Sequence, residues 1–290
     1  MMNTDKISLE VSSLSKKWRN FTLNDINISL PEGYIMGLIG KNGSGKTTLI
    51  NCILDGIKKS RGRICINNAD YRKVSAKNDI GFVLEEGPFF MDKTLSENAY
   101  LFGRFYSEWN ETTFYNYLSQ FKLQDFMRYA DLSKGMKTKF QIAFALSHKP
   151  KLLIMDEPTG GLDPIFRRDL LNILQDFVCN SNTAILFSTH ITADLDKVAD
   201  FVTMLDEGKQ VFTMTKEELI DNYPIIRGRK EDLSLLKEGR PMRVRKTSGG
   251  FETILEDSSL FTKNSSLHKR FTLSRPNLEE IMYFFSEPLF

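Results

Sequence analysis

Gly40-Lys41-Asn42-Gly43-Ser44-Gly45-Lys46-Thr47-Thr48 lies between the apolar run Tyr34 to Ile39 and the helix-like stretch Leu49 to Gly56. The spacing fits G-x-x-x-x-G-K-S/T between a strand and a helix, the pattern of a loop that wraps phosphate. Glycines let successive backbone N–H groups turn toward one anion, and the following helix presents its positive end to the same anion. Gly40, Asn42, Gly43, Ser44, Gly45, Lys46, Thr47 and Thr48 are therefore candidate phosphate-binding residues. In such a loop the Lys46 side chain reaches the β- and γ-phosphates and the Thr47 hydroxyl ligates Mg²⁺.

Toward the C-terminus, the apolar run Leu152 to Met155 has the continuous hydrophobicity of a central parallel strand and ends in Asp156-Glu157. Open α/β sheets place their ligands at that end of a strand, so the two carboxylates are candidates for chemistry. Asp163-Pro164 supplies a cap and a first-turn proline for a helix whose apolar stripe is Leu170, Ile173, Leu174, Phe177 and Val178. Ala184 to Phe187 is the next buried strand, followed by Ser188-Thr189-His190. Leu132-Ser133-Lys134-Gly135-Met136 opens a further helix, expected to run to about Ser147 with Ser133 as its cap.

Toward the N-terminus, residues 7 to 11 and 21 to 30 read as short strands of an antiparallel sheet. Between them Trp18, in Lys16-Lys17-Trp18-Arg19, reads equally as a core anchor and as a ring for stacking on a ligand. Arg61 to Asn67 and Asp79 to Leu84 are further strands, the second leading into Glu85-Glu86. Thr94 to Tyr129 is helical and crowded with aromatic residues. After about Asn222, closely spaced Pro and Gly mark a small α+β appendage. It is expected to hold a hairpin of Met242 to Lys246 and Phe251 to Leu255, and a final helix capped reciprocally by Asn277 and Glu280.

The chain has 290 residues and a net charge of +2, so its overall charge offers no argument for a nucleic-acid partner. Cys52, Cys65 and Cys179 are far apart and read as buried, reduced thiols. Neither a signal peptide nor a stretch able to cross a bilayer is expected from the sequence. His148 and His268 have no motif around them and are expected on the surface.

The phosphate loop, Leu132 to Met136, the strand ending in Asp156-Glu157, Gly161-Leu162-Asp163 and His190 occur in an order and at spacings that resemble the nucleotide-binding subunits of ATP-binding cassette transporters. The resemblance covers about residues 7 to 220. It implies an α/β phosphate-loop NTPase cassette with a RecA-like mixed sheet core, an antiparallel β subdomain and an α-helical subdomain at about 94–147. Residues 1–221 would form this domain and 222–290 a C-terminal α+β extension.

By the same resemblance Trp18 stacks on adenine, Gly40 through Thr48 hold the phosphates, and Thr47 and Asp156 hold Mg²⁺. Glu157 polarises the attacking water, and His190 contacts the γ-phosphate and that water. Ser133 and Gly135 touch the nucleotide of an opposite subunit, to which Asp163 links the two sites. Implied partners are a second such subunit, identical or paralogous, and integral-membrane permeases docking near Glu85 to Met91, with Phe89 and Phe90 as apolar anchors. The chain would then act at the cytoplasmic face of a membrane as the ATP-driven motor of an exporter, with amphipathic peptide toxins as a candidate cargo.

Two residues depart from the family pattern: Glu85 stands where glutamine is usual, and Lys134 where the signature has its first glycine. The first is expected to keep a metal-side role with an added charge, the second to grip phosphate across a dimer or to point into solvent. Competing readings are an ATPase acting on nucleic acid or ribosomes and a low-turnover regulatory subunit. Only 86 positions separate Lys46 from Leu132, too few for the long coiled-coil insertion of the first. Glu157 and His190 argue against the second.

Overall fold

The computed structural model describes residues 6–18, 20–256, 267 and 269–286. In chain order the first part comprises β1 (Ile7–Lys17), β2 (Thr22–Pro31), β3 (Ile35–Ile39), α1 (Lys46–Ile53), β4 (Arg61–Ile66), β5 (Ala69–Asp70), α2 (Val74–Asn78) and β6 (Ile80–Val83). There follow α3 (Leu95–Gly103), α4 (Glu111–Gln120), α5 (Lys134–Leu146), β7 (Leu152–Asp156), α6 (Pro164–Ser181), β8 (Ala184–Ser188) and α7 (Thr192–Val198). β9 (Phe201–Asp206), β10 (Lys209–Thr215) and α8 (Lys216–Asn222) lead to β11 (Ile225–Gly228), β12 (Arg245–Thr247), β13 (Gly250–Thr253), β14 (Thr272–Ser274) and α9 (Leu278–Phe285).

Among the described residues one sheet runs β5-β4-β1-β2-β10-β9-β3-β8-β7-β6. Its β9-β3-β8-β7-β6 portion is parallel, and its β5-β4-β1-β2 portion is antiparallel. The two portions meet where Lys209 pairs with Asn24. Parallel central strands bury both faces, which is why β3, β7 and β8 are buried at every position. Alternate side chains serve different cores. Leu153 and Met155 pack on the side of α5 and α6, whereas Leu152 and Ile154 join the core that contains Leu49 and Ile53 of α1.

The order β3-β8-β7 positions the site. The phosphate loop leaves β3, His190 follows β8 and Glu157 follows β7, so three consecutive carboxyl ends of neighbouring parallel strands deliver them to one edge. Adjacent strands lie only about 4.8 Å apart, which makes these groups near neighbours despite their distance in sequence. Among the described residues no helix is long and apolar enough to cross a membrane.

The C-terminal residues form a second, antiparallel sheet in the order β12-β13-β11-β14. The expected hairpin is present, but it is shorter and later: Thr247 pairs with Gly250 around a two-residue loop, and Met242 to Val244 lie outside the strand. Met242 instead donates its N–H to the Ile254 carbonyl. The Asn277–Glu280 reciprocal cap forms as expected. The helix it starts packs both ways: Leu278 and Ile281 join the core shared by α5, α6 and α7, with the Leu278 N–H donating to Asp196 Oδ1 at 3.1 Å, while Phe284 packs with Ile225 and Ile254 of the appendage.

Two expectations about side chains fail. Cys52 and Cys65 are buried, but Cys179 is exposed on α6. His148 is 2% exposed, and its ring stacks on Tyr106 at 3.8 Å with neither nitrogen hydrogen-bonded. It follows α5 directly, where the chain turns inward toward Pro150. His268 lies outside the described residues.

Burial lowers the His148 pKa from the ordinary 6.5 to about 4. A group depressed on folding contributes stability above its unfolded pKa that is lost as pH falls toward its folded one, here the window from 6.5 down to 4. Between pH 7 and pH 5 we expect wild type to lose about 2 kcal/mol of unfolding free energy that His148→Phe keeps. Denaturant titrations of both proteins across that range measure the difference, and parallel pH profiles would contradict it.

Candidate functional site

At Gly40 and Gly45 the loop after β3 is shaped by close approaches that leave no room for side chains. A methyl at Gly40 would lie 2.3 Å from the Leu205 carbonyl oxygen, and Gly45, at φ +110°, abuts Leu23 and Phe21. Gly43, at φ +80°, faces open space on the concave side. Lys46 begins α1 and is 6% exposed. Its ammonium donates to the Gly40 carbonyl at 2.8 Å and the Lys41 carbonyl at 3.3 Å, which leaves a third N–H for a ligand. Burial lowers its pKa, while Glu157 and Asp156 act in the opposite direction. Ser44 Oγ is buried beneath the loop without a hydrogen-bond partner.

A cleft of about 790 Å³ opens over this loop, bounded by Trp18, Asn20 and Phe21 on one side and by Glu85 and Glu157 on the other. Asn42, Gly43, Ser44, Gly45, Lys46, Thr47 and Thr48 form its floor. Trp18 is 39% exposed at the rim, with Lys16 Nζ 5.0 Å from its ring centroid. That position suits a flat ring lying on it better than a role as core anchor. Asn20 and Phe21 are cleft residues that no motif identifies.

Asp156 is 5% exposed at the end of β7, and one carboxylate oxygen accepts a hydrogen bond from the Ser188 hydroxyl. Ser188, at the end of β8, also receives the Glu157 N–H on its carbonyl at 3.0 Å. This residue thus joins the two strand ends. The only sequence signal for it is a polar residue closing an apolar strand. Glu157 has φ +50°, an uncommon conformation for a side chain of its size. Its backbone is over-determined by Ser188 on one side and by the Gly160 N–H donating to its carbonyl on the other. Held this way, Glu157 Oε2 meets His190 Nδ1 at 2.7 Å and lies near the His190 N–H at 3.3 Å.

Ser133, Gly135 and Asp163 do not line the cleft; they lie at the starts of α5 and α6. Ser133 caps α5 by accepting the Met136 N–H at 3.3 Å and is itself exposed. A methyl at Gly135 would lie 3.1 Å from the Gly161 carbonyl oxygen, so the start of α5 packs on the loop that precedes α6. Asp163 caps α6 through the Phe166 N–H at 2.9 Å, which holds its carboxyl below the usual carboxylate range. Lys134 is 55% exposed and pairs with Glu85 Oε1 at 2.5 Å in the same chain, a partner that its sequence gives no sign of.

The expected apolar anchors separate. Phe89 is 5% exposed and packs edge-on against Phe102, Phe140 and Phe144, whereas Phe90 is 50% exposed. Only Phe90 remains available to a partner. Beside this segment lies an apolar groove of about 400 Å³ whose walls include Phe82, Leu84, Pro88 and Tyr106.

The arrangement can bind a polyphosphate in an amide-lined cradle, neutralise it with a buried ammonium, and present a carboxylate–imidazole pair to a water at its end. Thr47 in the cleft floor and Asp156, near enough to oppose the lowering of the Lys46 pKa, offer hard oxygen donors. Among the described residues no group of three His, Cys, Asp or Glu side chains forms a metal cage. That donor set suits Mg²⁺, which takes one or two protein oxygens and completes its shell with phosphate and water.

The sequence model of the ABC transporter family matches residues 23–160. The ABC transporter ATP-binding protein YtrB of Bacillus subtilis is 27% identical over 264 residues, 90% of each chain. The lantibiotic transport ATP-binding protein SrtF of Streptococcus pyogenes is 30% identical over 231 residues, covering 77% of this chain and 100% of SrtF. Among solved structures, an ATP-binding subunit of an ABC transporter superposes with a TM-score of 0.68 at 29% identity, covering 73% of this chain and 92% of that one.

Proposed function

We propose, from the premise that this chain belongs to the ABC transporter family as an ATP-hydrolysing subunit, that it is the motor of an exporter whose cargo is a peptide. ABC ATPase subunits dimerise and work with membrane permeases. In our reading residues 1–221 form the cassette, 222–290 an extension, and the assembly sits at the cytoplasmic face of a membrane. The likeness to a protein named for lantibiotic transport supports a peptide cargo.

One observation carries the catalytic reading: the Glu157–His190 contact of 2.7 Å at the carboxylate end of the cleft that holds Lys46. ATP lies with its adenine over Trp18 and its phosphates on Gly40 through Thr48. Glu157 accepts a proton from the attacking water and His190 orients that carboxylate. Thr47 and Asp156 hold Mg²⁺, which when bound neutralises charge on the phosphates. Ser133 and Gly135, exposed or half-exposed at the head of α5, complete the site of a facing subunit, with Asp163 beside them. ATP drives closure because the closed pair binds it more tightly than the open one, and hydrolysis releases that preference.

Phosphate release from ATP by the purified chain, alone and with its permeases in vesicles, tests this reading; a chain that binds ATP but never releases phosphate would overturn it. Docking is tested separately. An apolar permease segment fits the exposed Phe90, two residues after Pro88 of the groove. Phe90→Asp should lower peptide transport at least about tenfold while nucleotide affinity stays at the wild-type value, and unchanged transport would move the docking site elsewhere.

A further inference from the structure

We propose that Lys134 is a positioning residue for the nucleotide site, pairing with Glu85 to neutralise a carboxylate on the wall of the phosphate cleft and to tie the head of α5 to that wall. The inference rests on the reading of the cleft as the ATP site. Glu85 borders the same cleft as Lys46, Thr47 and Glu157, so without a counter-ion it would add a negative charge facing a polyanion. Lys134 Nζ stands 2.5 Å from its Oε1 and supplies that counter-ion. The stem of Lys134 passes over Gly161, where a methyl would meet its Cδ at 3.7 Å. One side chain therefore touches the cleft wall, the head of α5 and the loop that runs from Glu157 to Asp163.

A second contact shows that α5 grips this wall at two points. Gln141, seven residues after Lys134 and so two turns along the same face, is 1% exposed. Its amide accepts the Leu84 N–H and donates to the Leu84 carbonyl, each at 2.9 Å. The same helix thus holds consecutive residues Leu84 and Glu85, the first by a buried neutral clamp and the second by an ion pair whose side chains are 55% and 65% exposed. A buried paired amide is not easily exchanged for water, whereas an exposed ion pair adds little to stability and can be re-paired by another charge. The clamp keeps α5 beside the cleft. The ion pair sets how much negative charge the cleft shows to phosphate.

The pair also has a role when Mg²⁺ accompanies the nucleotide. A divalent cation on the phosphates attracts the Glu85 carboxylate and lessens the need for Lys134. Loss of the lysine must therefore weaken metal-free ATP more than MgATP. This ordering separates the proposal from a purely structural contact, which would affect both alike.

The experiment is calorimetric titration of the full-length chain with ATP in excess EDTA and with ATP in excess Mg²⁺, for wild type, Lys134→Met, Glu85→Gln and the double variant. Lys134→Met should bind metal-free ATP about five- to tenfold more weakly and MgATP within about twofold of wild type. In the Glu85→Gln background the same lysine substitution should have no effect, because no carboxylate is left to uncover. A loss that persists in the double variant would mean that Lys134 acts on nucleotide directly and would overturn the proposal. Unaltered metal-free affinity in Lys134→Met would overturn it equally. If wild type bound no ATP in either condition, the reading of the cleft itself would fall, a result distinct from both.

Discussion

Glu157→Gln should cut ATP turnover by about 10²–10⁴-fold while leaving nucleotide affinity close to wild type. The substitution keeps the size and hydrogen-bonding capacity of the side chain and removes only its ability to take a proton as a base. The backbone that aims it is fixed by Ser188 and Gly160, not by its own carboxylate, so the φ of +50° should survive the change. The His190 contact at 2.7 Å loses its charge but can persist with the amide oxygen. Steady-state phosphate release, read beside nucleotide titration, separates the chemical step from binding. Near-normal turnover would show that Glu157 is not the base. A matching fall in affinity would show that it holds the nucleotide instead.

Lys46→Met should have the second large effect, lowering ATP affinity by about 10- to 100-fold and turnover by about 10²–10³-fold. Methionine retains the buried stem, so packing at the start of α1 is largely preserved. What disappears is the cation. In the free protein the ammonium is held by the Gly40 and Lys41 carbonyls at 2.8 and 3.3 Å, already in place beside the loop that would cradle the phosphate it neutralises. That preorganisation is where its contribution arises, since burial has been met during folding and not on binding. The thermal midpoint should change little while affinity collapses. An equal loss of both would mark Lys46 as a structural residue of the loop.

The two variants probe different ends of one cleft, and their contrast is informative. On the proposed reading Lys46 holds the phosphates in the ground state and more strongly in the transition state, so its loss should weaken binding and slow turnover as well. Glu157, as the proposed base acting on the water, should spare binding.

Much of this site was legible in the sequence because its signals are local. The phosphate loop is one uninterrupted motif, and the strand before Asp156 declares itself by an apolar run. The caps at Ser133, Asp163 and Asn277 each accept the N–H three residues on, as their residue types suggest. The misreadings share a cause too. His148 looked like a surface residue because nothing in its neighbours reveals that Tyr106, far earlier in the chain, lies flat against it at 3.8 Å. Phe89 and Phe90 are adjacent and chemically identical, yet one is buried among Phe102, Phe140 and Phe144 and the other is not. Burial of that kind depends on which helices converge, not on composition.

The amino-acid order by itself determined the phosphate cradle, the buried strands, the carboxylates at a strand end and the helix starts, since each follows from backbone freedom, periodicity or capping within a few residues. Tertiary structure alone decided that β8 would lie between β3 and β7, and hence that Ser188 would bridge to Asp156 and Glu157 would meet His190. It also decided that Lys134 would find Glu85 and Gln141 would find Leu84. These contacts join residues dozens of positions apart, and their geometry is set by strand order and helix packing, to which local periodicity is blind.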